Sequence, residues 1–238
     1  MDINSDMGEL NRLLADRTYE KLMDHVTSIN VACGGHAGDE AMMTVMVLMA
    51  KEIGVNVGAH PGYPDKENFG RINMDMDGNQ LLVSVRDQIQ LLVDIGVDNG
   101  LELTHVKPHG ALYNRAVNDE EVAQSIGEAI IQVNPALKVM GLAGSQMLTV
   151  FDALGLDTMA EAFADRTYES DGTLRDRKFD DALITNPEKA ALQAKMMMEG
   201  KAIAVDGNEV PIDAQTLCVH SDTPNAVAIA RAVREEIK

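Results

Sequence analysis

Short apolar, β-branched runs alternate with longer amphipathic stretches along the whole chain, and polar residues gather just past the ends of those runs. The candidate strands are Met1–Asn4, Ile29–Cys33, Asn56–Ala59, Leu103–Val106, Lys138–Leu142, Met159–Phe163, Ala202–Val205 and Thr216–Val219. The stretches between them carry helix signals. Leu81, Leu82, Val85, Ile89 and Leu92 mark one apolar face, and Val122, Ile126, Ile130 and Val133 mark another. Asn118, before Asp119, Glu120 and Glu121, reads as an N-cap followed by an acidic first turn. Asn186-Pro187 and Thr223-Pro224 each place a capping residue before a proline at the first helical position. Eight strands alternating with helices imply a parallel βα barrel or a doubly wound sheet.

The chain has 238 residues, and no Pro/Gly/Ser-rich linker, composition shift or repeat divides it, so a single βα domain over residues 1–238 is expected. Its 20 basic and 38 acidic residues give a formal charge of −18. Such a charge repels nucleic acid and anionic membranes. Aromatics at 3% with no Trp supply no base-stacking platform. No apolar run reaches the roughly 18 residues that a membrane span needs. The opening MDINSDMGEL carries acids where a secretory leader carries basic and then apolar residues, so a cytoplasmic location is expected. Cys33 and Cys218 lie far apart in apolar segments and form no metal or disulfide pattern.

The polar residues are placed unevenly. Asp6 follows the first candidate strand, His36 the second and His60 the third, while Lys107 and His109 follow the fourth. Asp165 with Arg166 follows the sixth, Asp206 the seventh, and His220 with Asp222 the eighth. Five of the six histidines lie at or just past a strand's carboxyl end, where βα barrels assemble their active sites. Asp2, Asn4 and Asp6 share a strand parity, as do His105, Lys107 and His109, and a buried polar face of that kind is costly without partners. Arg71 after Phe69-Gly70 is a candidate anion clamp. His25, away from the strand ends, reads as structural, and Met42, Met43, Met46 and Met49 read as a pliable buried helix face. There is no P-loop, no dinucleotide fingerprint, no nucleophile elbow and no zinc-type His or Cys motif. Carboxylate and imidazole chemistry remains, with or without a metal: acid–base hydrolysis of a small molecule.

Several segments, in order, resemble one family. They are Asp2-Ile3-Asn4-Ser5-Asp6-Met7-Gly8-Glu9, Asn30-Val31-Ala32-Cys33-Gly34-Gly35-His36-Ala37-Gly38-Asp39, and Gly58-Ala59-His60-Pro61 with Phe69-Gly70-Arg71. His105-Val106-Lys107-Pro108-His109-Gly110-Ala111-Leu112-Tyr113-Asn114 follows, then Gly141 to Ser145, Phe163 to Arg166, Val205-Asp206-Gly207 and Cys218-Val219-His220. The set is similar to the LamB/YcsF family over nearly the whole chain. The resemblance implies a seven-stranded βα barrel of the glycoside hydrolase/deacetylase type, one strand fewer than counted above, and Met159–Phe163 is the weakest candidate. It also implies ATP-dependent opening of the 5-oxoproline lactam to L-glutamate, with ATP as co-substrate and two partner subunits, B and C.

On that reading Asp6, His36, His60, His109, Asp206 and His220 are the catalytic candidates, and Asn4, Lys107, Arg71, Tyr113 and Asn114 the substrate-binding ones. Asp6, His36 or His60 would serve as base for water, Lys107 and Arg71 as cations for carboxylate or phosphate, and His109 or His220 as acid for the departing nitrogen. The deacetylase relatives imply a divalent metal on Asp6, His36 and His60. Gly35, Gly62, Ile72 and Ser221 depart from the family's usual Phe, Ser, Arg and Gly. Two other classes stay open: a metal-dependent deacetylase or amidohydrolase acting alone, and a non-catalytic ligand-binding subunit. A crowded acidic pocket implies that Asp6→Asn relieves like-charge repulsion.

Overall fold

The alternation of apolar runs and helices closes into a barrel. In the computed structural model, which describes residues 1–238, the strands are β1 (Asp2–Met7), β2 (Ser28–Ala32), β3 (Asn56–His60), β4 (His105–Val106), β5 (Lys138–Leu142), β6 (Thr158–Phe163), β7 (Lys201–Ile203), β8 (Glu209–Pro211) and β9 (Thr216–Cys218). Strands β1 to β6 and β9 form a closed, all-parallel barrel, with β9 between β6 and β1. The strands are nearly continuous in burial because helices cover their outer side and side chains fill the interior. The helix Gly78–Asp98 turns Leu81, Val85, Ile89 and Leu92 inward, and Glu40–Ile53 buries Met42, Met43 and Met46.

The seven-strand barrel agrees with the expected fold, but the strand that drops out is not the one expected. Met159–Phe163 lies within β6, a full barrel member. The candidate Ala202–Val205 leaves the barrel instead, because β7 folds back antiparallel on β8. The turn explains it: the Ala204 N–H donates to the Asn208 carbonyl, the Gly207 N–H donates to the Ala204 carbonyl, and Gly207 adopts φ +89°. Asp-Gly between extended runs is a strong hairpin signal, and Asp206-Gly207 carries it.

Two caps also differ. The helix Glu120–Val133 is capped by Asp119 rather than Asn118, with the Asp119 carboxylate accepting from the Val122 N–H at 3.2 Å. Thr223-Pro224 opens no helix: the last helix starts at Ala226, and the Thr223 hydroxyl donates to Asp165 at 2.6 Å. Asn186 caps Pro187–Met198 as expected, accepting from the Lys189 N–H at 2.9 Å.

Candidate active site

Strand parity builds the floor of the site. Asn4 and Asp6 point into the barrel, where the register sets Asp6 beside Asn30 on β2. His105 lies across β3 because Gly58 has no side chain there; a Cβ would come within 2.2 Å of its ring. Lys107 then rises to the centre. Its ammonium donates to Asp6 Oδ1 at 2.9 Å, Glu161 Oε1 at 2.8 Å, Asn4 Oδ1 at 3.3 Å and Cys218 Sγ at 3.2 Å.

Each polar group on this floor fixes the next. Asp6 can only accept, so it turns the Asn30 amide nitrogen toward itself at 2.8 Å. Asn30 Oδ1 then faces His105, which donates from Nε2 at 2.7 Å and leaves its Nδ1 to accept from the Thr104 hydroxyl at 2.8 Å. Asn4 donates to Glu161 and Thr216, and the Tyr113 hydroxyl donates to Glu161 Oε2 at 2.9 Å. Asp2 closes the bottom by accepting from Thr27, Ser28 and Thr216.

Burial pushes the Asp6 carboxyl up, but His60, Lys107 and His220 outweigh it and hold the group well below its usual range. His60 is itself neutral at pH 7, pushed down to about 3 mainly by burial, so Lys107 is the cation that keeps Asp6 ionised there. Lys107 in turn is held protonated, burial being overcome chiefly by Asp6 and Glu161. The like-charge crowding expected around Asp6 is therefore absent: one of its oxygens sits in an ion pair.

Above the floor the hydrogen bonding is incomplete. His60 Nδ1 donates to the Lys107 carbonyl at 2.7 Å, and His109 Nε2 donates to the Phe69 carbonyl at 2.9 Å. Phe69 presents that carbonyl from a left-handed backbone, φ 56°. Both rings are thereby fixed with their second nitrogens facing each other, His60 Nε2 to His109 Nδ1 at 3.0 Å. Two bare lone pairs at that distance repel unless a proton or a metal ion joins them.

The Glu9 carboxylate stands beside the pair, 3.2 Å from His109 Nδ1 and 3.9 Å from His60 Nε2. His36 Nε2 donates to Glu9 at 3.0 Å, while its buried Nδ1 has no partner. Burial raises the Glu9 carboxyl, yet the His109 and His36 hydrogen bonds bring it well below normal. Burial and His109 push His36 down to about 4.

The metal set Asp6, His36 and His60 is not the one that converges. Glu9, His36, His60 and His109 do, and Asp6 falls into a second group with Cys218 and His220. Within the first group the His36 and His109 rings stack at 3.6 Å and 3°. Parallel rings that close cannot both aim a lone pair in-plane at one ion. Glu9, His60 and His109 are the three that fit, with rings crossed at 87°. Their separations of 3.0, 3.2 and 3.9 Å bracket the ~3.3 Å edge of a tetrahedron with metal–ligand bonds of about 2.0–2.1 Å. The backbone carbonyls behind both rings are the outer partners such ligands use.

The third part is a dyad. Asp165, fully buried, accepts from His220 Nδ1 at 3.0 Å, from the His220 backbone N–H at 2.9 Å and from Thr223. Burial opposes ionisation of Asp165, but His220 keeps its carboxyl below the usual range. Phe163 stacks on the imidazole at 5.5 Å, and Nε2 points to the cavity, 4.0 Å from Asp6 Oδ2. No hydrogen bond reaches that Oδ2, and His60 Nε2 is 3.5 Å away.

A cavity of about 540 Å³ opens here, at the carboxyl ends of the barrel strands. Asp6, His60, His109, His220, Lys107, Arg71, Tyr113 and Asn114 line it. Asn4 lies beneath it and His36 behind Glu9. Lys107 is not a free substrate clamp, since its protons are spread over Asp6, Glu161, Asn4 and Cys218. Asp206 lies elsewhere, on the exposed β7–β8 turn, where it accepts from Ser170 and Asn208. Glu9, Glu161 and Asp165 join the site without being among its sequence-based candidates. Glu9 closes the matched N-terminal segment and Asp165 follows β6, but Glu161 looks like any acid within a strand.

Two departures from the family pattern are one feature. A Cβ on Gly35 would come within 2.2 Å of Gln88 Oε1, and the same Gln88 amide brackets the Gly62 peptide at 3.0 and 2.9 Å.

The LamB/YcsF family model matches residues 1–238. The chain is 44% identical over 239 residues to the A subunit of 5-oxoprolinase from Chloroflexus aggregans, covering 100% of this chain and 95% of that one. It is 41% identical over 239 residues to that of Bacillus subtilis, covering 100% and 93%. Among solved structures, the lactam utilization protein from Thermus thermophilus superposes with a TM-score of 0.90 at 41% identity, covering 100% of this chain and 95% of that one.

Proposed function

The chain belongs to the LamB/YcsF family, and on that premise we propose that it is the A subunit of a 5-oxoprolinase, a hydrolase that opens the cyclic amide of 5-oxoproline to glutamate. It works with partner subunits, B and C, that couple ring opening to ATP cleavage; this chain carries no P-loop. No helix is long and apolar enough to cross a membrane, and the acidic composition fits a cytoplasmic enzyme.

The observation that carries this reading is the pairing of a free Asp6 oxygen with His220 Nε2, 4.0 Å apart over one cavity. An unstrained lactam resists water, so its carbonyl must be activated, a nucleophile generated and the nitrogen protonated as it leaves. Asp6 and His220 flank the place for the water and take its proton. Asp165 holds the His220 tautomer that leaves Nε2 bare. His109 Nδ1, shared between His60 and Glu9, delivers a proton to the leaving nitrogen. Arg71, exposed at the mouth and paired with Asp222 at 2.8 Å, meets the substrate carboxylate. In place of that shared proton, Glu9, His60 and His109 would hold a divalent metal ion, which when bound polarises a carbonyl or lowers the pKa of water, and His220 then protonates the leaving nitrogen.

Glutamate release from 5-oxoproline by the purified chain, alone and with its partner subunits, with and without ATP, tests the reading. Turnover only with partners and ATP is expected. Hydrolysis by the chain alone without ATP would replace it with a metal-dependent amidohydrolase. Binding without turnover in the full assembly would leave a ligand-holding protein.

A further inference from the structure

Fewer than one residue in ten is basic here, against 38 acids, yet guanidinium groups crowd one side of the cavity mouth. The segment between β6 and the helix Pro187–Met198 brings Arg166, Arg175 and Arg177 to the lining. Arg175 is neutralised twice over, by Glu169 at 2.8 Å and Asp181 at 2.6 Å. Arg166 is not. It is 7% exposed, and it donates only to the carbonyls of Ala182 at 3.2 Å and Arg175 at 2.5 Å. No carboxylate lies within salt-bridge distance of it, and its Nη1 donates to nothing in the protein.

Arg177 is nearly as poorly matched. Its one carboxylate contact, Asp222, is at 3.4 Å and is already committed to Arg71 at 2.8 Å. Burial and the adjacent Arg177 charge bring Arg166 down to about 10, against the pull of Asp165, so it remains a cation at neutral pH with no carboxylate bonded to it. A buried cation without a bonded anion is costly, and the nearby carboxylates Asp165, Asp176 and Asp222 are paired with His220, Lys178 and Arg71 instead. The ligand is the natural counter-ion.

We propose that Arg166 and Arg177 form an anion subsite at the mouth of the barrel that takes a phosphoryl group. The planar guanidinium fork suits the tetrahedral, doubly charged oxygens of phosphate, and two adjacent cations suit a dianion better than a single carboxylate. Arg177 reaches Asp222, two residues past His220, so the subsite lies on the His220 side of the cavity. A phosphorylated lactam, released inorganic phosphate and a nucleotide share this chemistry. The phosphoryl subsite stands by itself; only its link to a phosphorylated lactam rests on the 5-oxoprolinase reading.

Calorimetric titration of the purified chain tests it without any turnover, using inorganic phosphate, acetate as the carboxylate control, and ATP. Inorganic phosphate should bind and acetate should not compete. Arg177→Gln should weaken phosphate by about 10–100-fold, the loss of one charge-assisted contact. Arg166→Gln should do the same; because Arg166 also braces its loop, its unfolding midpoint is measured alongside, and Arg177→Gln decides if that variant unfolds. ATP binding with the same Arg dependence assigns the phosphoryl group to a nucleotide, and phosphate binding without ATP binding assigns it to phosphorylated substrate or product. No phosphate binding, or equal binding by wild type and Arg177→Gln, overturns the subsite. Lactam hydrolysis in the full assembly together with that result would overturn the subsite alone, leaving the enzyme assignment intact.

Discussion

The floor and the mouth of the barrel are built from the same residue types and are opposites in hydrogen bonding. On the floor Asn4, Asn30, His105, Lys107 and Glu161 are each tied to partners that leave one choice of tautomer and amide orientation. At the mouth two imidazole nitrogens face each other, His36 Nδ1 has no partner, and Asp6 Oδ2 accepts no hydrogen bond. A satisfied buried network rigidifies; an unsatisfied one waits for a proton, a metal ion or a ligand. Asp6 belongs to both, with Oδ1 in the floor and Oδ2 in the cavity. The floor holds the mouth in position by fixing one oxygen of a reactive carboxylate.

Removing Lys107 should break that division most severely. Lys107→Met leaves Asp6 and Glu161 buried without their shared cation, an unpaired-charge cost of about 3–5 kcal/mol. Chemical denaturation should show a loss of that size together with abolished turnover. A variant as stable as wild type would mean that the floor is not an electrostatic unit.

Asp6→Asn cuts the link between the two regions. Turnover of the assembled enzyme should fall by about 10²–10⁴-fold, the worth of a positioned base. Stability should fall too, by about 1–3 kcal/mol, because Oδ1 is the partner of Lys107 and Asn30. This reverses the relief of repulsion that composition suggests, and equal or higher stability would restore it. Activity near wild type would move the base to His220 alone.

Acid sharpens the comparison. Folding holds His36, His60 and His105 neutral, with pKa values near 4, 3 and 4, below their unfolded value of about 6.5. The unfolded chain therefore binds more protons between about pH 6.5 and 4, so stability is complete above that window and falls as pH drops through it. Each histidine contributes a slope of about 1.4 kcal/mol per pH unit. Asp6 and Glu9, whose carboxyls are depressed, add a further loss at lower pH as they protonate. Denaturation midpoints at a series of pH values read this directly, and a flat profile from pH 6.5 to 4.5 would contradict it.

Asp206 serves as the control outside both regions. It lies on an exposed turn, so Asp206→Asn should change stability by no more than about 0.5 kcal/mol and leave kcat unaltered. A large drop in kcat would bring the β7–β8 hairpin into the mechanism.

Much of this is legible in the chain's local pattern. The barrel strands, the Asn186 cap and the strand-end positions of Asp6, His60, Lys107, His109 and His220 follow from it. The β7–β8 hairpin is readable as well, from Asp206-Gly207, but a strand count that favours one more barrel member overrides it. Glu161 is not readable, because a buried acid on a strand carries no mark of its partner until the barrel closes.

Sequence alone determined the parallel βα architecture and which residues stand at strand ends, since periods of two and 3.6 and the turn residues are written in a few consecutive positions. Tertiary structure alone decided which oxygen of Asp6 is bound and which is free, which histidine nitrogens face each other, and that Glu9 rather than Asp6 joins His60 and His109. Those outcomes depend on groups 101 and 157 positions apart, Asp6 with Lys107 and Asn4 with Glu161, meeting to within a hydrogen bond. Barrel closure and register set such distances, and no local stretch of chain encodes them.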